Sequence, residues 1–283
     1  MVKGLRYKAA AIQFKWDPES KDNNLEKAKV LLEETGKEGV KLAVLQEYFA
    51  TAYGRKEDAE PIPGPTTDCL RSIARRYKMY IAGGTMVEKD RNNFYSTLPF
   101  IDPTGEIIAK YRKVHILDRP GIRDESQFER GKEIPVCKTK EIGNIGLLAG
   151  VDLDTPLAPW VAARKGCEVL VVPHCCSSKY VDAHRYLLRA TAWGNLIYII
   201  APNPVGYWKG TPEGDFYYLG GSGIISPMGE ILANAGEFSD GIAIATIDIS
   251  KLWEYRETMR TWKGQIVPEA YEPYLKVMIK DKF

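Results

Sequence analysis

Paired CxxC spacing is absent from this 283-residue chain, whose cysteines are Cys69, Cys137, Cys167, Cys175 and Cys176. An odd number without such pairs supports neither a zinc site nor a disulfide framework, and it points to a reducing, cytoplasmic setting. An excess of one charge is also missing. A formal net charge of +2 gives no electrostatic case for nucleic acid or an anionic membrane as partner. No apolar run is long enough to cross a bilayer, and the opening MVKGLRYKAAAIQF lacks the apolar core and cleavage site of a signal peptide. No Ser/Gly-rich linker or composition shift divides the chain, and no short repeat recurs. What remains is 45% hydrophobic and 27% charged, a soluble composition within reach of one large α/β domain.

Strands and helices alternate along most of the chain. KAAAIQF reads as a strand, and NNLEKAKVLLEETGKEG has helical period, with Leu25, Ala28, Leu31 and Leu32 on one side. VKLAVLQEYF is a second strand, TTDCLRSIARRYK a helix and MYIAGGTMVE a further strand. FYSTLPFI and EIIAKYRKV flank the turn Asp102-Pro103-Thr104-Gly105. After an irregular stretch from Asp118 to Gly131, NIGLLAGV and CEVLVVPHC are strands around the helical PLAPWVAARKG. DAHRYLLRATAWGN is a helix, LIYIIAPNP a strand, WKGTPEGDFYY a loop, and GIAIATIDIS the last strong strand. These alternations predict one domain of mixed sheets with covering helices. It should span residues 1–251. Residues 252–283, rich in Trp, Tyr, Arg and Glu with little periodicity, form a tail that packs on the domain or a neighbouring subunit.

Several apolar strands end abruptly in polar residues, which makes those ends candidate site positions. They present Glu47, Lys113, the pair Gly150 and Asp152, and the run His174-Cys175-Cys176. A single Glu or Lys at a strand end is more often solvated or ion-paired than catalytic. The set in order is what points to chemistry. GGSG at residues 220–223 precedes a strand rather than a helix, which argues against a nucleotide cradle.

The order VLQEYFATAYG, KYRKVHI, IGLLAGVDLDTP resembles the nitrilase (carbon–nitrogen hydrolase) superfamily. GGTMVE, RATAWGNLIYIIAPNPVG and GGSGIISPMGEIL extend the likeness from about Lys8 to Ile249. The resemblance implies a four-layer αββα sandwich, with subunits paired into a homodimer or larger assembly. It also implies hydrolysis of a small amide, nitrile or N-carbamoyl compound, with no metal or organic cofactor. By that resemblance Glu47 matches the general base, although Gln46 stands where a proline usually precedes it. Lys113 matches the cation that stabilises the tetrahedral intermediate. Glu125 is the best match for a second glutamate, with Asp124 and Glu129 as competitors. Asp152 matches the acidic residue beyond the nucleophile and Pro156 a later proline, while Leu157 replaces an acidic residue.

The nucleophile position falls on Gly150. In such a site the glutamate takes the thiol proton, the thiolate attacks the carbonyl or nitrile carbon, and the lysine offsets the developing charge. Glycine has no side chain to attack with, so little or no turnover through residue 150 is expected. Four readings stand side by side. A cysteine was replaced by design; or the chain is a pseudoenzyme that keeps its cleft, in keeping with Gln46 and Leu157; or the thiol has moved to Cys175 or Cys176; or water attacks directly, in room left beside Gly150. Since neighbours on a strand face opposite ways, at most one of Cys175 and Cys176 is expected in the pocket, and a buried structural thiol is the plainer role. Tyr53, His174, Cys175 and Asp152 are further candidates for substrate contact, and Trp208 could shape the pocket. His115 is expected to be a hydrogen-bonded structural residue and His184 a surface or interface one.

Overall fold

The first strand, β1 (Arg6–Gln13), is buried over its last five residues, as a strand covered on both faces must be. The computed structural model describes residues 4–51, 54–119, 123–211 and 214–259. After β1 come α1 (Lys21–Lys37), β2 (Leu42–Leu45), α2 (Pro65–Tyr77), β3 (Tyr80–Ala82), β4 (Met86–Asp90), β5 (Asn93–Ile101) and β6 (Ile107–Arg112). A short hairpin, β7 (Asp118–Arg119) with β8 (Arg123–Asp124), leads to β9 (Val136–Lys138), β10 (Asn144–Leu147), α3 (Leu157–Arg164) and β11 (Val169–Val171). Next are α4 (Val181–Asn195), β12 (Tyr198–Ala201), β13 (Val205–Thr211), β14 (Gly214–Leu219), β15 (Gly223–Ile225) and β16 (Ile231–Asn234). The last elements described are β17 (Gly241–Asp248) and α5 (Ile249–Met259).

Two sheets carry the architecture. One is ordered β17-β1-β2-β3-β5-β4, with β6 also paired to β5; the other is ordered β16-β15-β12-β11-β10-β9. The strands followed by helices (β1, β2, β10 and β11) pair in parallel with the next central strand of their sheet, as crossover connections require. Ala9, Ala11, Leu42 and Val44 from the first sheet join Ile145, Leu147, Val169 and Val171 from the second in one core. On its other face the first sheet packs Ala43, Leu45 and Ile81 against Ala28 and Leu32 of α1 and Leu70 and Ile73 of α2. Ala158 and Ala162 of α3 and Leu188 and Ala192 of α4 cover the second sheet. This is the expected four-layer αββα sandwich in a single domain.

Helix ends follow their sequence signals. Ser20 caps α1 by accepting from the Asn23 amide at 3.2 Å, and Pro65 opens α2, where its missing N–H costs no hydrogen bond. Two expectations are corrected. WKGTPEGDFYY is not a loop throughout: β13 and β14 pair antiparallel through Tyr207↔Tyr217 and Trp208↔Phe216. The segment after β17 is not aperiodic either. In α5 the buried residues are Ile249, Leu252 and Arg256, a helical stripe disguised by a charged member. Arg256 donates from Nε to the Leu196 carbonyl at 3.0 Å and from Nη2 to the Cys167 carbonyl at 2.6 Å. The expected break between residues 251 and 252 therefore falls inside α5, whose buried stripe packs on the domain. Residues 260–283 lie outside the described residues.

Candidate active site

Short parallel strands deliver the charged residues to one edge of the sandwich. β2 ends at Leu45, and the next two residues are buried although both are polar. Gln46 satisfies itself on β1: its Oε1 accepts from the Phe14 amide at 2.8 Å, and its Nε2 donates to the Phe14 carbonyl at 2.9 Å. That clamp extends the β1–β2 pairing by a side chain and fixes where Glu47 emerges. Lys113 follows β6 directly, its amide still bonded to the Ser96 carbonyl at 2.8 Å.

Glu47, Lys113 and Glu125 form a dry ion cluster, each side chain exposed by 2% or less. Lys113 Nζ donates to Glu47 Oε1 at 2.9 Å and to both Glu125 oxygens at 2.7 Å. Burial opposes charge on Lys113, but the carboxylates of Glu125 and Glu47 outweigh it and hold the ammonium above the ordinary lysine value. Glu125 is fixed further by the Tyr48 hydroxyl at 2.7 Å and the Leu117 amide at 2.7 Å. Of the three acids that competed for this place, Glu125 is on Lys113, Glu129 is exposed, and the Asp124 side chain lies outside what is described. Tyr48 escaped the sequence reading. It sits at φ +48°, a conformation that no residue-type signal marks for tyrosine.

Gly150 lies against this cluster at φ +54°, its amide bonded to the Pro173 carbonyl at 2.9 Å. The strand NIGLLAGV stops earlier than expected, at Leu147, and residues 150–152 form a 3-10 turn. A Cβ placed on Gly150 would lie 2.6 Å from Glu47 Oε1 and 3.0 Å from Lys113 Nζ. A side chain at this position would therefore require Glu47 or the turn to shift.

Asp152 is fully buried and does not face the cavity, which corrects the expectation of substrate contact there. Its carboxylate accepts from the Ala149 amide at 3.1 Å, the Tyr111 hydroxyl at 2.5 Å and the His115 amide at 2.9 Å; His115 Nδ1 lies 2.8 Å away. The acid thereby ties the turn holding Gly150 to the strand end holding Lys113. His115 has the structural role expected of it.

The cluster borders a cavity of about 470 Å³, lined by Glu47, Lys113, Gly150, Asp154, Tyr180 and Tyr218 among others. His174, Cys175 and Cys176 line it too. Both thiols can do so because β11 ends at Val171, so strand alternation no longer governs residues 174–176. Cys175 Sγ donates to the Glu47 carbonyl at 3.5 Å, and Cys176 Sγ to the Ser177 carbonyl at 3.6 Å. His184 is a lining residue rather than a surface one. Its ring packs 4.2 Å from that of His174, and burial, with His174 beside it, holds its pKa well below the ordinary histidine value. Tyr53 and the Trp208 side chain lie outside what is described. Among the described residues no group of three or more His, Cys, Asp or Glu side chains is placed to hold a metal ion.

The carbon-nitrogen hydrolase family model matches residues 8–257. The chain belongs to the carbon-nitrogen hydrolase family. Among its curated relatives is omega-amidase NIT2-B of Xenopus laevis, 32% identical over 261 residues that cover 89% of this chain and 92% of the relative. Among solved structures, a carbon-nitrogen hydrolase from Helicobacter pylori superposes with a TM-score of 0.84 at 23% identity, covering 95% of this chain and 98% of that one. Saccharomyces cerevisiae Nit3, a member of branch 10 of the nitrilase superfamily, gives 0.79 at 26% identity over 92% of this chain and 96% of its own.

Proposed function

We propose that the cavity is an amidase-type site in which Glu47 is the base, Lys113 the charge-stabilising cation, Glu125 its positioning partner and residue 150 the nucleophile position. As the chain stands, it binds a small amide-type compound and hydrolyses it little or not at all. One observation carries this reading: the first side-chain atom at position 150 would lie beside Glu47 Oε1 and Lys113 Nζ together. A thiol there would meet its base and the cation in one place, which is what covalent acyl transfer needs. Without it, Glu47 and Lys113 neutralise each other and the cavity keeps its shape and its polar end.

The test is Gly150→Cys, assayed for ammonia release from simple aliphatic amides beside the unchanged chain. The variant should gain turnover from a baseline near that of buffer, and the unchanged chain should bind the same amides without consuming them. Equal turnover by both proteins would sink the proposal. Cys175 and Cys176, both lining the cavity, support a second reading in which one of them is the nucleophile. Alkylation mapped by mass spectrometry separates the two: thiols inert to iodoacetamide at neutral pH end the second reading.

A further inference from the structure

The charges that face the cavity are unequally engaged. Lys113 is spent on Glu47 and Glu125. His184 is held neutral by burial and by His174. Lys179 lies exposed on the lining, with its Nζ 5.4 Å from the Tyr180 ring centroid. On the acidic side, Asp215 accepts from the Tyr207 hydroxyl. Asp154 differs from all of these. Its amide closes the turn onto the Val151 carbonyl at 3.1 Å, yet no hydrogen bond or ion pair reaches its carboxylate among the described residues. It lines the same cavity as Glu47 and Gly150. Asp154 is itself exposed; partial burial pushes its carboxyl up, Lys113 opposes this, and Glu47 and Asp152 add to it, so the charged cluster acts on it. The lining also includes the uncharged Leu117, Leu187 and Tyr218.

Building on the amide-site reading above, we infer that the cavity selects amides whose far end is cationic, with Asp154 as the specificity-determining residue. With its amide beside Glu47 and Lys113, a small ligand bearing an amine would bring that amine to Asp154, the one unpaired carboxylate among the described lining residues. A carboxylate in the same place would meet Asp154, and beyond it the excess negative charge of the two glutamates on a single lysine. A like-charge contact of this kind excludes a ligand more firmly than an opposite-charge contact recruits one.

The experiment titrates the full chain at about pH 8, where free carboxylates are ionised, with butyramide, its ω-amino analogue and succinamate. The amino-amide should bind about tenfold more tightly than succinamate, with butyramide between, a spread that one charge contact supplies. Asp154→Asn should collapse the amine-to-carboxylate preference, and Asp154→Lys should reverse it. Lys110→Ala, whose cation lies on Glu88 and outside the lining, serves as the control and should leave the order unchanged. Equal binding of all three amides, or a preference that survives Asp154→Lys, overturns the inference and leaves the amide-site reading standing. Failure of all three to bind overturns both.

Discussion

Lys110 and Arg112 of β6 reach Glu88 and Asp90, whereas Tyr111 and Lys113, one step out of phase, reach Asp152 and the Glu47–Glu125 pair. The alternation of a strand thus sends four consecutive residues, KYRK, into two opposite environments. On the first side Lys110 Nζ lies 2.6 Å from Glu88, and Arg112 bonds Glu88 at 2.8 Å and Asp90 at 2.6 Å while stacking 3.8 Å from the Tyr95 centroid. Its cations remain 36% and 27% exposed, so water shares the solvation. On the second side no member exceeds 2%, and both carboxylates share the single Lys113 ammonium. The wet network can lose a cation and be repaired by solvent, although the acid its cations share, Glu88, is itself only 2% exposed. The dry one cannot, because a partner removed leaves a carboxylate with nothing to replace it.

Removing the centre of the dry network is the hardest test of that contrast. Lys113→Met should destabilise the fold by about 3–5 kcal/mol, measured by urea unfolding, and should abolish amide binding. A loss below that of any wet-network variant would break the comparison. Gly150→Ala comes next. Its Cβ must displace Glu47 from 2.6 Å, at a backbone angle of +54°, so a loss of about 1–3 kcal/mol is expected. A variant as stable as the parent would mean that the cluster has slack. Glu88→Gln probes the wet network through pH. Burial alone would push the Glu88 carboxyl up, but bonds from Arg112, Lys110 and Thr97 hold it below the ordinary glutamate value. A depressed carboxyl contributes stability above its unfolded pKa of about 4.3, and loses it as pH falls through its own lower value. The acid limb of a plot of Tm against pH should therefore be shallower in Glu88→Gln. The smallest effect belongs to Lys110→Ala, about 0.2–1 kcal/mol and shrinking further in salt.

Much of this was legible in advance, for identifiable reasons. Glu47 and Lys113 follow apolar strands directly, so burial patterning marks the place where each strand ends. Glu125 was one of three acids in an irregular stretch, and only the fold shows which of them meets Lys113. Tyr48 and Asp154 carried no signal, since a left-handed tyrosine and an unpaired loop aspartate resemble ordinary loop residues in sequence. His184 was misplaced because its burial comes from packing on His174, a residue of another segment. Gln46 counted as a departure from the family pattern, yet its amide side chain bonds the backbone at Phe14. The α5 stripe was hidden by Arg256, whose guanidinium finds carbonyls that a sequence cannot place.

The left-handed backbone at residue 150 bears on how such a chain changes over generations. Glycine is the residue that adopts this geometry with least strain, so a substitution to glycine there relaxes the turn locally as it removes the side chain. Glycine and cysteine codons differ by a single base. Loss of a thiol at this position and its return are thus neighbouring mutational steps, and folding favours the direction toward glycine. On the amide-site reading proposed above, selection for turnover would have to act continuously to hold cysteine in place.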